Sequence, residues 1–133
     1  MLTEASGKLS QVQWCIGNAM ALPFSGAVFS GAMCTLAIHH FAELSPVFQE
    51  AYRVLDRGRF VILTATPVQM QSYLLNEYFP DAMLKSNEYM PAQDLVTGAL
   101  TQAGFTSIDT EGFDIRDDLQ DFFLYSGKYR PEM

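Results

Sequence analysis

Two short apolar runs separated by an amphipathic stretch constrain this chain more than any other feature. Residues 31–38 read Gly-Ala-Met-Cys-Thr-Leu-Ala-Ile and end at His39-His40; residues 60–66 read Phe-Val-Ile-Leu-Thr-Ala-Thr and stop at Pro67. Runs this short between turn signals favour strands covered on both faces, which belong inside a parallel sheet. Between them, Leu44, Val47, Phe48, Ala51, Tyr52, Val54 and Leu55 recur at three-and-four spacing, with Glu43, Gln49, Glu50 and Arg53 on the opposite side. That is one apolar stripe of a helix over 43–55, with Gly58 near its stop. Strand, helix and strand in this order make a right-handed parallel crossover, so the fold class is α/β.

The rest of the chain is consistent with one domain, 1–133. It is 49% hydrophobic and 17% charged, with 8 basic and 15 acidic residues and a net charge of −7. This composition excludes disorder, and its field opposes nucleic-acid binding. The apolar runs are far short of the roughly 20 residues that span a bilayer, and no signal peptide opens the chain, so a cytoplasmic location without membrane partners is expected. Cys15 and Cys34 lie in apolar runs and read as reduced core thiols, with no spacing that suggests a metal site. Asp109, Glu111, Asp114, Asp117, Asp118 and Asp121 face only Arg116 and read as a solvated acidic rim, with a cation or basic-partner site as the alternative.

Along the chain, residues 1–9 read as the end of a helix stopped near Gly7, 12–17 as a strand, and Leu22-Pro23-Phe24-Ser25-Gly26 as a turn cluster. The Met- and aromatic-rich stretch 68–90 reads either as a helical cover over a pocket or as ordinary core packing. Pro91 to Asp94 opens a helix through Ala103, with Leu95, Val96, Ala99, Leu100 and Ala103 on one side and Gly104 as its stop. Residues 106–115 and 122–128 read as a C-terminal antiparallel strand pair.

In an open α/β sheet, ligands gather beyond the carboxyl ends of the strands, which is where His39 and His40 stand. Histidine exchanges protons near neutral pH, so His39 and His40 are the catalytic candidates; capping or packing at the strand end is the plainer role. Glu50 and Arg53, three apart on a helix, read as a structural pair or a contact to a neighbouring loop.

The order Asn18-Ala19, Leu22-Pro23-Phe24, Phe29, Leu36 to Phe41, then Glu50, Arg53-Val54-Leu55 and Gly58 resembles the middle and C-terminal part of class I S-adenosylmethionine-dependent methyltransferases. It is similar specifically to the small-molecule branch related to the ubiquinone/menaquinone biosynthesis methyltransferases, and the resemblance covers 12–66 best. The resemblance implies an incomplete Rossmann-like methyltransferase sheet, mostly parallel, and S-adenosylmethionine as cofactor, held by Asn18, Ala19, Met20, Ala37 and Ile38. It implies no metal. Asn18 stands where the family usually has Asp at the adenine, and it keeps a carbonyl oxygen without the charge. No Gly-x-Gly turn occurs in the 133 residues.

The family's first strand and Gly-rich turn would lie upstream of the matching segment, so the resemblance makes this a fragment or truncated form, not active alone. Two strands normally lie between 12–17 and 31–38 in that sheet. Their absence implies either direct pairing of 12–17 with 31–38 or pairing across a homodimer through the exposed edge. Three functions follow: a methyltransferase for a small-molecule substrate, a non-catalytic derivative that dimerises or binds a partner chain, and a small-ligand binding module.

Overall fold

The computed structural model describes Thr3, Gly7 and residues 11–112. Its elements are β1 (Phe29–Thr35), a 3₁₀ turn (Ile38–His40), α1 (Leu44–Val54), β2 (Leu55–Leu63), α2 (Pro67–Gln71), α3 (Leu75–Tyr78), α4 (Pro80–Glu88) and α5 (Gln93–Ala103). β1 and β2 pair in parallel, with α1 as their crossover, as the apolar runs and the stripe between them predict.

The register carries one irregularity. Phe29 pairs with Leu55 and Gly31 with Arg59, so β2 takes two more residues than β1 between the same rungs. The extra length is absorbed at Arg57, whose φ of 53° is left-handed, and at Gly58, where a Cβ would stand 2.3 Å from the Ser30 carbonyl oxygen. Gly58 is therefore not the helix stop that its position suggests. α1 ends at Val54 and the chain passes directly into extended backbone at Leu55.

The core lies on one side of this sheet. Phe48, with 0% of its surface exposed, and Ile38, with 1%, are its centre, joined by Leu44, Val47, Val96 and Ala103. Cys34, Phe60 and Ile62 pack against that cluster from the strands. A T-shaped Phe48–Phe60 pair at 5.8 Å, a stacked Phe60–Phe105 pair at 5.8 Å and a T-shaped Tyr52–Phe105 pair at 5.2 Å connect helix, sheet and the turn after α5. That turn depends on Gly104, which takes φ 111° and lies so close to the Tyr52 ring that a Cβ would stand 2.9 Å from it.

Several sequence expectations are corrected. The strand over 31–38 begins at Phe29 and ends at Thr35, because Leu36 turns left-handed at φ 50°. Among the described residues its second face is open: Met33 is 71% exposed, and Val61 and Leu63 on β2 are exposed beside it. The reason is that each strand alternates, and only one side of the sheet meets α1 and α5. Residues 12–17 form no strand and pair with nothing in β1, whose partner is β2; their backbone runs exposed, Cys15 included. Gly7 is helical, not a stop. Leu95 points out of the core, 61% exposed.

β2 runs from Leu55 to Leu63 rather than over 60–66, so Pro67 does not end it; Pro67 starts α2, where Thr66 and Gln69 form a reciprocal capping box. In 68–90 only Met83 is buried. Met70, Tyr73, Leu74 and Met90 instead line an open groove along β2. Residues 106–112 carry no strand, and the remainder of the predicted C-terminal pair lies outside the described residues. Asp109 and Glu111 are exposed, as a solvated rim requires. Among the described residues, no helix is long and apolar enough to cross a membrane.

The one-sided core sets a contrast that denaturation can check. Phe48→Ala is expected to destabilise the chain by about 3–5 kcal/mol through the cavity it leaves. Met33→Ala, on the open face, is expected to change stability by no more than about 0.5 kcal/mol. Equal shifts in the urea midpoint for the two variants would contradict this placement of the core.

Candidate functional site

The candidate residues fall in two places. Asn18, Ala19 and Met20 form a turn before Leu22, closed by the Ala21 N–H donating to the Asn18 carbonyl at 2.9 Å and the Met20 N–H donating to Asn18 Oδ1 at 2.9 Å. This self-bonding is what Asn does in turns. It leaves the Asn18 side chain exposed, with a lone pair on Oδ1 and an amide nitrogen still open to a ligand.

Ala37, Ile38, His39 and His40 form the second group, just past β1. Leu36 still donates its N–H to the Leu63 carbonyl at 2.8 Å, so the sheet holds the chain up to the residue that bends it. The 3₁₀ turn then closes by His40 N–H to Ala37 carbonyl at 3.0 Å and Phe41 N–H to Ile38 carbonyl at 3.2 Å. The His39 and His40 rings lie 4.0 Å apart between centroids, tilted by 49°. His39 is half-buried and its Nδ1 is buried without a hydrogen-bond partner, whereas His40 is exposed. Ile38 has its side chain in the core, so only its backbone is available to a ligand. Behind the strand end, burial pushes the Cys34 thiol up, partly opposed by a backbone hydrogen bond from Ala37. A thiol so placed is a core group and not a nucleophile.

The two groups share one buried cluster: Ala19 packs against the same core that Ile38 helps to form. Their common mount is the last turns of α1. Arg53 and Glu50 form a bidentate pair, Nε to Oε1 at 2.6 Å and Nη2 to Oε2 at 2.8 Å. Glu50 Oε2 also accepts the Leu22 N–H at 2.8 Å, while Arg53 donates to the Leu22 carbonyl at 3.2 Å and the Phe24 carbonyl at 2.9 Å. The Arg53 and Val54 carbonyls then accept the N–H groups of Ala27 and Val28 at 2.9 Å each, directing the chain into β1. Glu50 and Arg53, read from their spacing as a structural pair or a loop contact, are thus both. Sequence reasoning missed the bend at Leu36, because leucine has no preference for left-handed backbone and nothing local marks it.

With the geometry in place, the comparisons are informative. Residues 1–63 match the family model described as a methyltransferase domain, and this span contains both candidate groups and the Glu50–Arg53 pair. A (+)-O-methylkolavelool synthase of Herpetosiphon aurantiacus is 40% identical over 57 residues, 43% of this chain and 19% of that protein. Ubiquinone/menaquinone biosynthesis C-methyltransferases UbiE of Cereibacter sphaeroides and Paracoccus denitrificans are 30% and 32% identical over 78 residues, in each case 56% of this chain and 31% of the relative. The chain thus spans less than a third of the length of these curated relatives. No solved structure matches. The resemblance to class I methyltransferases read from the residues is supported over this part of the chain, which folds as a mixed helix–strand unit with a small parallel sheet.

The ion pair has a pH signature. The Arg53 side chain and the Leu22 N–H, both bonded to the Glu50 carboxylate, lower its pKa from 4.5 to about 2. A depressed carboxylate stabilises the fold above its unfolded value, and that contribution fades as pH falls from about 4.5 toward 2. Carbon-detected titration should place the Glu50 carboxyl midpoint near 2 and return it toward 4.5 in Arg53→Met. An unchanged midpoint in that variant would refute the assignment.

Proposed function

We propose that the chain forms part of an S-adenosylmethionine-dependent methyltransferase that acts on a small molecule. The observation that carries this reading is the placement of the Asn18 turn and the β1 end around one buried cluster, both within the methyltransferase-domain match. The residues fit such a cofactor. Asn18 keeps an exposed amide for a nucleobase edge, and His39 offers a buried, unpartnered nitrogen beside the strand end.

When bound, the cofactor supplies an electrophilic methyl on a sulfonium. Positioning a substrate in line with that methyl is the main task left to the protein. His40, exposed at the strand end, would be the imidazole able to accept the proton of the substrate's nucleophile, and His39, whose Nδ1 is buried, would pack against its ring. The relatives' names, C-methyltransferase of ubiquinone/menaquinone biosynthesis and (+)-O-methylkolavelool synthase, favour a small molecule as acceptor. Calorimetry of the chain with S-adenosylmethionine at up to millimolar concentration is expected to show saturable binding, weakened by Asn18→Ala. Absence of binding by the unaltered chain would overturn autonomous cofactor binding.

A second reading is favoured by the sheet itself. Among the described residues β1 is hydrogen-bonded along one edge only, and the exposed Met33 sits on its open face. An apolar strand left this way templates association, and we propose that it pairs with a second copy of the chain. Light scattering is expected to give a dimer mass at tens of micromolar that Met33→Lys reduces to the monomer. A stable monomer for the unaltered chain would remove this reading.

A further inference from the structure

We propose that Glu50 and Arg53 are positioning residues for the ligand-facing turn Asn18–Ala21, acting through the backbone of Leu22 and Phe24. The inference rests on the cofactor reading above and adds to it the device that sets where the turn lies.

The argument is geometric. A surface ion pair of this kind contributes little to stability by itself: Arg53 keeps 40% of its side-chain surface exposed and Glu50 18%. Its arrangement is more specific than stability alone needs. Leu22 has both backbone groups held by the one pair, its N–H by the carboxylate and its carbonyl by the guanidinium. That fixes the orientation of the chain on both sides of one Cα. Pro23 follows with a fixed φ, and the Phe24 carbonyl is bonded to the same guanidinium. The segment from Leu22 to Phe24 therefore has three attachments to two side chains and little torsional freedom between them.

On its N-terminal side, this segment leads through Ala21 into the turn that presents Asn18. Ala21 is bonded back to Asn18, so the turn moves as a unit with Leu22. On its C-terminal side, Ala27 and Val28 are bonded to the carbonyls of Arg53 and Val54, and the chain enters β1, whose far end carries the histidines. One turn of α1 is thus the reference for both candidate groups. A lysine at position 53 keeps the charge but lacks the planar fork needed for the bidentate contact and two carbonyls together.

The test combines amide hydrogen exchange with calorimetry on the full chain. In Arg53→Met, the Met20 and Ala21 amides are expected to exchange faster, while the Leu36 amide in the sheet keeps its protection. S-adenosylmethionine affinity is expected to fall at least about tenfold, the loss of one or two charge-assisted contacts. Arg53→Lys should lie between Arg53→Met and the unaltered chain, and Glu50→Gln, which retains an acceptor for the Leu22 N–H, should lose less than Arg53→Met. Binding by the unaltered chain with undiminished affinity in Arg53→Met would overturn the positioning role alone. No binding by the unaltered chain would overturn autonomous cofactor binding, and this inference with it. A general loss of protection that includes Leu36 would make the pair a plain fold stabiliser and also overturn the proposal.

Discussion

The bidentate pair between Glu50 and Arg53 is the interaction from which the arrangement of the described chain follows. It stands at the C-terminal end of α1, where the helix turns straight into β2, and it reaches back across 28 residues to Leu22. Because α1 also packs its apolar stripe on the sheet, the pair transfers the position of the core to a loop that has little core of its own. Residues 11–21 are almost wholly exposed and form no ladder, so this attachment and the packing of Ala19 are what place them. A long-range loop contact made by side chains on a rigid helix is a more exact mount than loop packing would be, because the helix fixes the spacing between Glu50 and Arg53 at one turn.

The same helix explains why the core is one-sided. α1 and α5 cover the side of the sheet that carries Cys34, Phe60 and Ile62, and the aromatic chain from Phe48 to Tyr52 continues on that side. The residues between them, Met33, Val61 and Leu63, belong by chemistry to a covered face and stand exposed among the described residues. Parallel strands are ordinarily covered on both sides. The apolar character of the runs is thus a record of two faces, of which one is met by α1 and α5.

Much of this was legible in the sequence, and the reasons are local. The crossover unit was readable because periodicity changes from continuous to three-and-four and back, and Gly104 was readable as the stop of α5. The pair at Glu50 and Arg53 was legible as a structural pair or a loop contact, and only the fold shows that it is both. Asn18 was singled out by resemblance, and the self-bonded turn it forms is the ordinary behaviour of that residue. What could not be read depended on distant neighbours. Residues 12–17 have strand-forming side chains, but a strand needs a partner ladder, and β1 takes β2 instead. Gly58 looked like a helix cap because glycine after a helix usually is one. Its actual constraint, the close approach of the Ser30 carbonyl, comes from a strand whose sequence lies nearly 30 positions earlier.

Leu36 and Gly58 together shape the two ends of the short parallel pair. At one end of the ladder, two additional residues in β2 and a left-handed Arg57 let the strands come together from a helix that ends without a loop. At the other end, Leu36 adopts a backbone conformation that leucine disfavours, yet keeps its N–H bonded to Leu63. A residue held this way persists only where its surroundings over-determine it. Here the ladder fixes it from one side and the buried Ile38 from the other, two residues apart. The chain therefore leaves the sheet at an imposed angle, placing Ile38 inward and His39 beside it with Nδ1 buried and unsatisfied. A regular strand would have alternated these residues across the two faces; the bend is what gathers the backbone of Ala37 and Ile38 and the two imidazoles into one turn at the end of the sheet.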